Sequence, residues 1–329
     1  MTSGGQTSMT FASSRALTRR AALVLAAGLA VTVVPGVASA APNAVIPVGR
    51  LAQGLAISPD GTRAAVANSN DNTVSVIDTQ TRAVTATVPV GLYPLGVAFT
   101  PDSSRVYVTN RDAHTVSVID AETSSVTATW SGFSYPTSIE VSGDRVHVLN
   151  EGNATLSIMD SAGVALGGVP LPEGPSGLAV TPDGAKAYVG SYRGVHVTVI
   201  DVAAASVIAS VRASVSPRAL AVSPDGTRVY TTKLTKPDPM KVIDVATGKA
   251  LPGGIPGPGW SLGVAVAPDG ARAYITNFLD RTVSVIDTAG LTEIGRMTVG
   301  RYPTEISITP DGKQAYVLNG RDEVEILDL

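Results

Sequence analysis

The chain has 329 residues, 44% apolar and 16% charged, with 33 glycines and no cysteine. The absence of thiols excludes disulfides, thiolate metal sites, cysteine nucleophiles and lipidated cysteine. A formal net charge of −3 supplies no general electrostatic drive toward nucleic acid or an anionic membrane.

In chain order, Arg15, Arg19 and Arg20 come first, ahead of a run of small and apolar residues from Ala21 to Val34 that closes at Ala38-Ser39-Ala40. A basic region, an apolar region and an Ala-x-Ala site read as a signal peptide, residues 1–40, cut after Ala40. The stretch Thr18-Arg19-Arg20-Ala21-Ala22-Leu23 also resembles a twin-arginine signal. A retained anchor is disfavoured, because the run is short and leads directly into the cleavage motif. The expectation is export to the periplasm, cell surface or medium, with residues 41–329 as one domain without a membrane span. Without the three leader arginines, 21 basic residues face 27 acidic ones, a formal net charge of −6.

From residue 44 onward the chain repeats. A Pro-Asp-Gly turn or a variant of it places Asp60, Asp102, Asp144, Asp183, Asp225, Asp269 and Asp311 at spacings of 42, 42, 39, 42, 44 and 42. A second marker, the Asp that closes each Val-Ile-Asp run, recurs in step at Asp78, Asp120, Asp160, Asp201, Asp244, Asp287 and Asp328. Both count seven. In the second copy, four runs rich in Val, Thr, Tyr and Ile read as strands: Gly96–Thr100, Arg105–Asn110, Thr115–Asp120 and Ser125–Trp130. Pro presets the first hairpin turn and Gly accepts a positive φ, while the Asp ending the third strand is placed to bond an amide two residues on. These aspartates read as turn chemistry rather than metal ligands.

Four strands in each repeat of this length describe a propeller blade. The fold class is therefore all-β, a seven-bladed β-propeller of four-stranded blades. The seventh repeat ends at its third strand, Glu323–Leu329, and Ala44–Val48 matches the outer-strand run Thr85–Val90. The N-terminal strand is expected to complete the last blade and so remove the open edge of the ring.

Val106-Tyr107-Val108-Thr109-Asn110 carries the signature of the YVTN-repeat β-propeller family, and Ala273-Tyr274-Ile275-Thr276-Asn277 and the Thr-Val-Ser-Val-Ile-Asp runs at Thr73 and Thr282 are similar to its motifs. The resemblance covers the whole of residues 41–329. It implies an exported or cell-surface propeller with a binding or interaction role, and it supplies no catalytic residues. Blade 3 departs from the pattern at Val141-Ser142-Gly143-Asp144, and blade 5 at Lys233–Met240.

On such a scaffold, residues that break the repeat are the candidates for function. Loops from one blade's outer strand to the next blade's inner strand cluster at one channel mouth, and aligning them gives Leu51, Tyr93, Tyr135, Gly174, Ser216, Trp260 and Tyr302. The aromatic members Tyr93, Tyr135, Trp260 and Tyr302 either stack on a planar ligand or pack between blades to seal the loops. Two places before the first strand stand Gln53, Leu95, Thr137, Ser176, Arg218, Leu262 and Thr304, where only Arg218 is charged. One place later blade 7 has Glu305, and Glu140 of blade 3 stands in a column otherwise of Ala and Ser. Glu140, Arg218 and Glu305 form a candidate polar cluster at the channel, with a structural ion pair as the plainer reading.

His114, His147 and His196 lie in different blades without metal-ligand spacing, and no nucleophile elbow or phosphate loop is present. The reading is thus no catalytic residues, no metal and no cofactor. The leading function is a monomeric binding or protein-interaction module, its partner a small molecule, a glycan or a protein rather than nucleic acid. One alternative is a propeller enzyme of lactonase or lyase type using Glu140, Arg218 and His147. Another is a structural surface protein that assembles through blade edges.

Overall fold

The computed structural model of the chain describes residues 44–234 and 239–329. The expected signal peptide, residues 1–40, and positions 235–238 of the blade 5 loop lie outside them. The described residues form seven four-stranded antiparallel sheets, six of them running in chain order from an inner to an outer strand. Blade 2 consists of Pro94–Phe99, Arg105–Asn110, Thr115–Asp120 and Ser125–Ser131, close to the runs expected from sequence. The last blade borrows its outer strand as expected: Ala44–Pro47 pairs antiparallel with Glu323–Asp328, Ala44 opposite Ile326 and Pro47 opposite Glu323.

Local chemistry explains the repeat motifs. In the first turn of blade 2 the Thr100 hydroxyl donates to Asp102 Oδ1 at 2.6 Å, and the same oxygen accepts the Ser104 N–H at 3.0 Å. These bonds favour the ionised form, led by that from Thr100, and hold the Asp102 carboxyl at about 2. The second aspartate meets the amide two residues on, as expected for Asp78 with Gln80 and Asp120 with Glu122, and reaches one further. Asp78, Asp120, Asp201 and Asp244 accept the N–H three residues on, from Thr81, Thr123, Ala204 and Thr247 at 2.6–2.8 Å. The turn coils one residue further before its left-handed position (Arg82, Ser124 and Ala205 at φ 54°, 51° and 48°), so the carboxylate meets a later amide. In blade 3 Asp160 accepts the amide two residues on, from Ala162 at 2.9 Å.

The Asn that ends the Tyr-Val-Thr-Asn run is a hub. Asn68 Nδ2 donates to Thr73 Oγ1 and Ser75 Oγ, both at 3.0 Å, while its Oδ1 accepts the Gly49 N–H at 3.0 Å. Asn110 and Asn277 make the same pair of side-chain bonds to Thr115 and Ser117 and to Thr282 and Ser284. The two sequence motifs recur together because one side chain ties them. Blade 7 substitutes Glu325 for the serine; it accepts from Asn319 Nδ2 at 2.7 Å and from the Gly300 N–H. Blade 4 has Ser191 in this column, and blade 5 places Lys233 there, wholly buried.

There is no single central core. Seven apolar clusters lie between neighbouring blades, one for each interface. Both faces of a strand are therefore buried, and Val106 to Asn110 are all below a tenth exposed. The closing cluster joins Ile46, Tyr316, Val324 and Ile326 of blade 7 to Ala64, Val66 and Ile77 of blade 1. Burial of this apolar area, at about 25 cal/mol per Å2, is the main force closing the ring.

Candidate functional site

The first strands of all seven blades line one cavity of about 1160 Å3 at the centre of the ring. Each is an edge strand of its sheet, so its unpaired backbone groups border this space. Packing there demands small residues. A Cβ added to Gly54, Gly96, Gly177 or Gly263 would meet the next blade's carbonyl oxygen, of Leu95, Thr137, Arg218 or Thr304, at 2.0–2.6 Å. Glu305 occupies this glycine column in blade 7.

Glu140 breaks a second rule. In five other blades the inner-strand Ala or Ser stands opposite a buried Tyr of the second strand, as Ala98 opposite Tyr107, Ala179 opposite Tyr188 and Ser307 opposite Tyr316, while blade 1 pairs Ala56 with Ala65. Blade 3 pairs Glu140 with His147 instead. His147 is fully buried, with Nε2 3.0 Å from Ser142 Oγ and no partner for Nδ1. Burial, aided by Arg145, pushes its imidazole down to about 4, so it is neutral at physiological pH.

Glu140, Glu305 and Arg218 all line the cavity, as do Gln53 and Tyr93. The three charged side chains are gathered around one space, yet no ion pair joins them among the described residues. Both carboxyls are half-buried, touching channel solvent while walled in by neighbouring strands. Burial pushes Glu140 up to about 7. Burial and the charge of Glu140 together push Glu305 up to about 8. No cation stands close enough to offset either shift, and Arg218 remains exposed to the channel. His147 is not part of the lining, so the trio Glu140, Arg218 and His147 does not share this space.

The aromatic column has a backbone explanation. Leu51, Tyr93, Tyr135, Gly174, Ser216, Trp260 and Tyr302 all have left-handed backbones, φ 47–73°. The carbonyls of all but Ser216 accept the N–H just after the second strand, from Ser69, Arg111, Glu151, Tyr192, Phe278 and Gly320, at 2.9–3.1 Å. The turn is the repeated need, and glycine meets it in blade 4. The side chains are free to vary, and they do not form a closed aromatic ring. Of the four aromatics only Tyr93 lines the cavity. Tyr135, Trp260 and Tyr302 are 41–45% exposed. Trp260, Phe278 and Tyr302 make a run of rings with centroids 6.2 and 4.9 Å apart.

Opposite that run the mouth is polar. The Arg111 guanidinium meets Glu151 Oε2 at 3.3 Å and Asp112 Oδ1 at 2.9 Å, and lies 4.9 Å over the Tyr135 ring. The Tyr192 hydroxyl donates to Glu151 Oε1 at 3.4 Å. Arg111, Glu151 and Tyr192 are rim residues missed by the sequence reading. Their signal was the column directly after the hub Asn, which varies from Ser69 to Gly320. Among the described residues, no group of three or more His, Asp or Glu gathers to hold a metal ion. None of the described helices is long and apolar enough to cross a membrane.

Residues 19–161, somewhat under half of the chain, match the family model described as YNCE-like beta-propeller. No curated protein matches the sequence. Among solved structures, hydrazine synthase of Kuenenia stuttgartiensis is similar over 84% of this chain and 95% of its own, with a TM-score of 0.76 at 22% identity. A chain of a mitotic checkpoint complex is similar over 95% of this chain and 99% of its own, with a TM-score of 0.79 at 17% identity. At such identities the likeness shows the fold alone, a scaffold that serves unrelated functions.

Proposed function

Because the chain is a seven-bladed propeller of the YVTN-repeat type, we propose that it is an exported binding module whose ligand sits in the central channel, at the mouth formed by the blade-to-blade loops. The observation that carries this reading is the set Arg218, Glu305 and Glu140. Each replaces a small or uncharged residue of its column, each borders a cavity of about 1160 Å3, and none is paired with another. Unpaired charge in a confined space costs stability unless something else gains from it. Purified protein should show a thermal shift with one class among sugars, lactones, nucleotides, peptides and divalent metals, and Arg218→Ala/Glu305→Ala should lose that shift. If no class shifts the melting and no partner is captured from the cell surface, the reading fails.

Export rests on the sequence of residues 1–40. The secreted protein should begin at Ala41, and Arg19→Lys/Arg20→Lys should block its export. Unchanged secretion of that variant would remove the twin-arginine assignment.

A propeller enzyme remains a second reading, favoured by carboxyls poised at about 7 and 8 in a cleft. Its acid–base residues would be Glu140 and Glu305, not His147, which lies outside the cavity lining. Turnover of a lactone that survives Glu140→Gln/Glu305→Gln would dismiss this assignment.

A further inference from the structure

The binding-module reading leaves the ligand open, and the channel's charges narrow it. Inner strands run along the channel, so column position measures depth. Arg218 belongs to the column nearest the mouth, Glu305 to the next, and Glu140 to one two places deeper. Arg218 and Glu305 just precede the inner strands Leu220–Val222 and Ile306–Ile308, whereas Glu140 lies within Pro136–Ser142, so at up to about 3.3 Å per residue Glu140 lies as much as about 10 Å further in than Arg218, with Glu305 between them. Positive charge therefore sits at the outer tier and acidic groups sit below it, on blades 5, 7 and 3. Glu140's charge reaches Glu305, whereas Arg218 contributes to the shift of neither carboxyl, so the two poles are separate. Between them run the free edges of the seven inner strands, carrying backbone donors and acceptors.

We propose, on the footing of the binding-module reading, that the channel takes a short zwitterionic peptide, its carboxylate on Arg218 and its ammonium between Glu305 and Glu140. Two or three extended residues span about 7–10 Å, which matches the separation of the poles. Their amides would meet the strand edges, and the Gly, Ala and Ser positions among the Leu, Val and Ile of the lining leave room for small side chains. A free ammonium offers the two carboxyls the cation they lack. A sugar would satisfy the strand edges but not the opposed charges, and an anion alone would be repelled from the lower tier. Binding must ionise Glu140 and Glu305, so it releases protons. The other charged groups on the lining, Arg111 and Glu151 at the rim, already pair with each other.

The test is calorimetric titration of the purified chain with trialanine, its C-terminal amide and its N-acetyl form. Trialanine should bind, and blocking either end should weaken it about tenfold. In Arg218→Gln, amidation should no longer matter; in Glu305→Gln, acetylation should no longer matter. Trialanine affinity should rise between about pH 5.5 and 6.5, where its own amine stays protonated, and the heat should depend on the buffer because protons are released. Melting of both variants at pH 5, close to wild type, controls for folding. Equal binding of free and blocked peptides, or end-block effects that persist in the variants, overturns the inference. So does no binding of trialanine. If another compound class then gives a shift lost in Arg218→Ala/Glu305→Ala, only the peptide assignment falls; if nothing binds, the binding-module reading falls with it.

Discussion

A carboxylic acid held neutral in the fold but ionised in the unfolded chain makes stability fall as pH rises. Glu140 and Glu305, at about 7 and 8 against an ordinary 4.5, contribute stability that is complete below pH 4.5 and lost as pH climbs through 7–8. His147 works in the opposite sense. Its pKa is lowered from 6.5 to about 4, so its contribution is complete above pH 6.5 and lost as pH falls toward 4. Glu140→Gln/Glu305→Gln should therefore stabilise the protein at pH 9 by about 1–3 kcal/mol and change little at pH 4, as read by urea unfolding. Asn68 gives a contrasting expectation. It is wholly buried and ties three partners, so Asn68→Ala should cost about 2–3 kcal/mol at any pH. Glu140, Arg218 and Glu305 were legible as charges in otherwise uncharged columns. Arg111, Glu151 and Tyr192 were not, because a loop column that varies everywhere hides which of its members face the axis. The aromatic column was legible as a pattern but not as a left-handed turn, since Tyr and Trp are poor markers of positive φ.

Strands were the most readable elements, because β-branched runs and Asp-bearing turns agree at every repeat. Blade 2's two middle strands lie where the sequence placed them, while its inner strand starts two residues earlier, at Pro94. That shift reflects a register irregularity between Pro94 and Val97, a bulge made by close contact with the next blade. Blade 5 was less readable. Its last two strands shrink to Val242–Asp244 and Lys249–Ala250, where Lys233 replaces the hub Asn and Pro and Gly follow the short outer strand. The inner-strand glycines carry a clear expectation. Gly177→Ala would set a Cβ 2.1 Å from the Arg218 carbonyl oxygen and should cost about 1–3 kcal/mol, whereas alanine at Gly248, with open space but φ 63°, should cost less. Equal melting temperatures for the two variants would show that blade spacing yields more easily than this packing implies.

Across the whole molecule, stability is spread over seven similar interfaces, so no interface is spare. Ile46 is 3% exposed in the closing cluster, and Ile46→Ala should cost about 2–4 kcal/mol, as much as an equivalent change in any interior blade. Circular order also means that the ring has no intrinsic beginning. A chain permuted to start in a blade-to-blade loop and joined at its old ends would keep every sheet.

The borrowed strand also carries a kinetic consequence. Pairing Ala44 with Ile326 closes a loop of nearly the whole described chain, and at that length the entropic cost of meeting grows only slowly, to about 5 kcal/mol. The meeting is nonetheless among the last possible, because strand Glu323–Asp328 is the last described segment of the chain. Until then both partners are open edges of identical chemistry in every copy. At high concentration one molecule's Ala44–Pro47 competes for another's final blade, and refolding yield should fall with concentration, whereas a ring already shut offers no such edge.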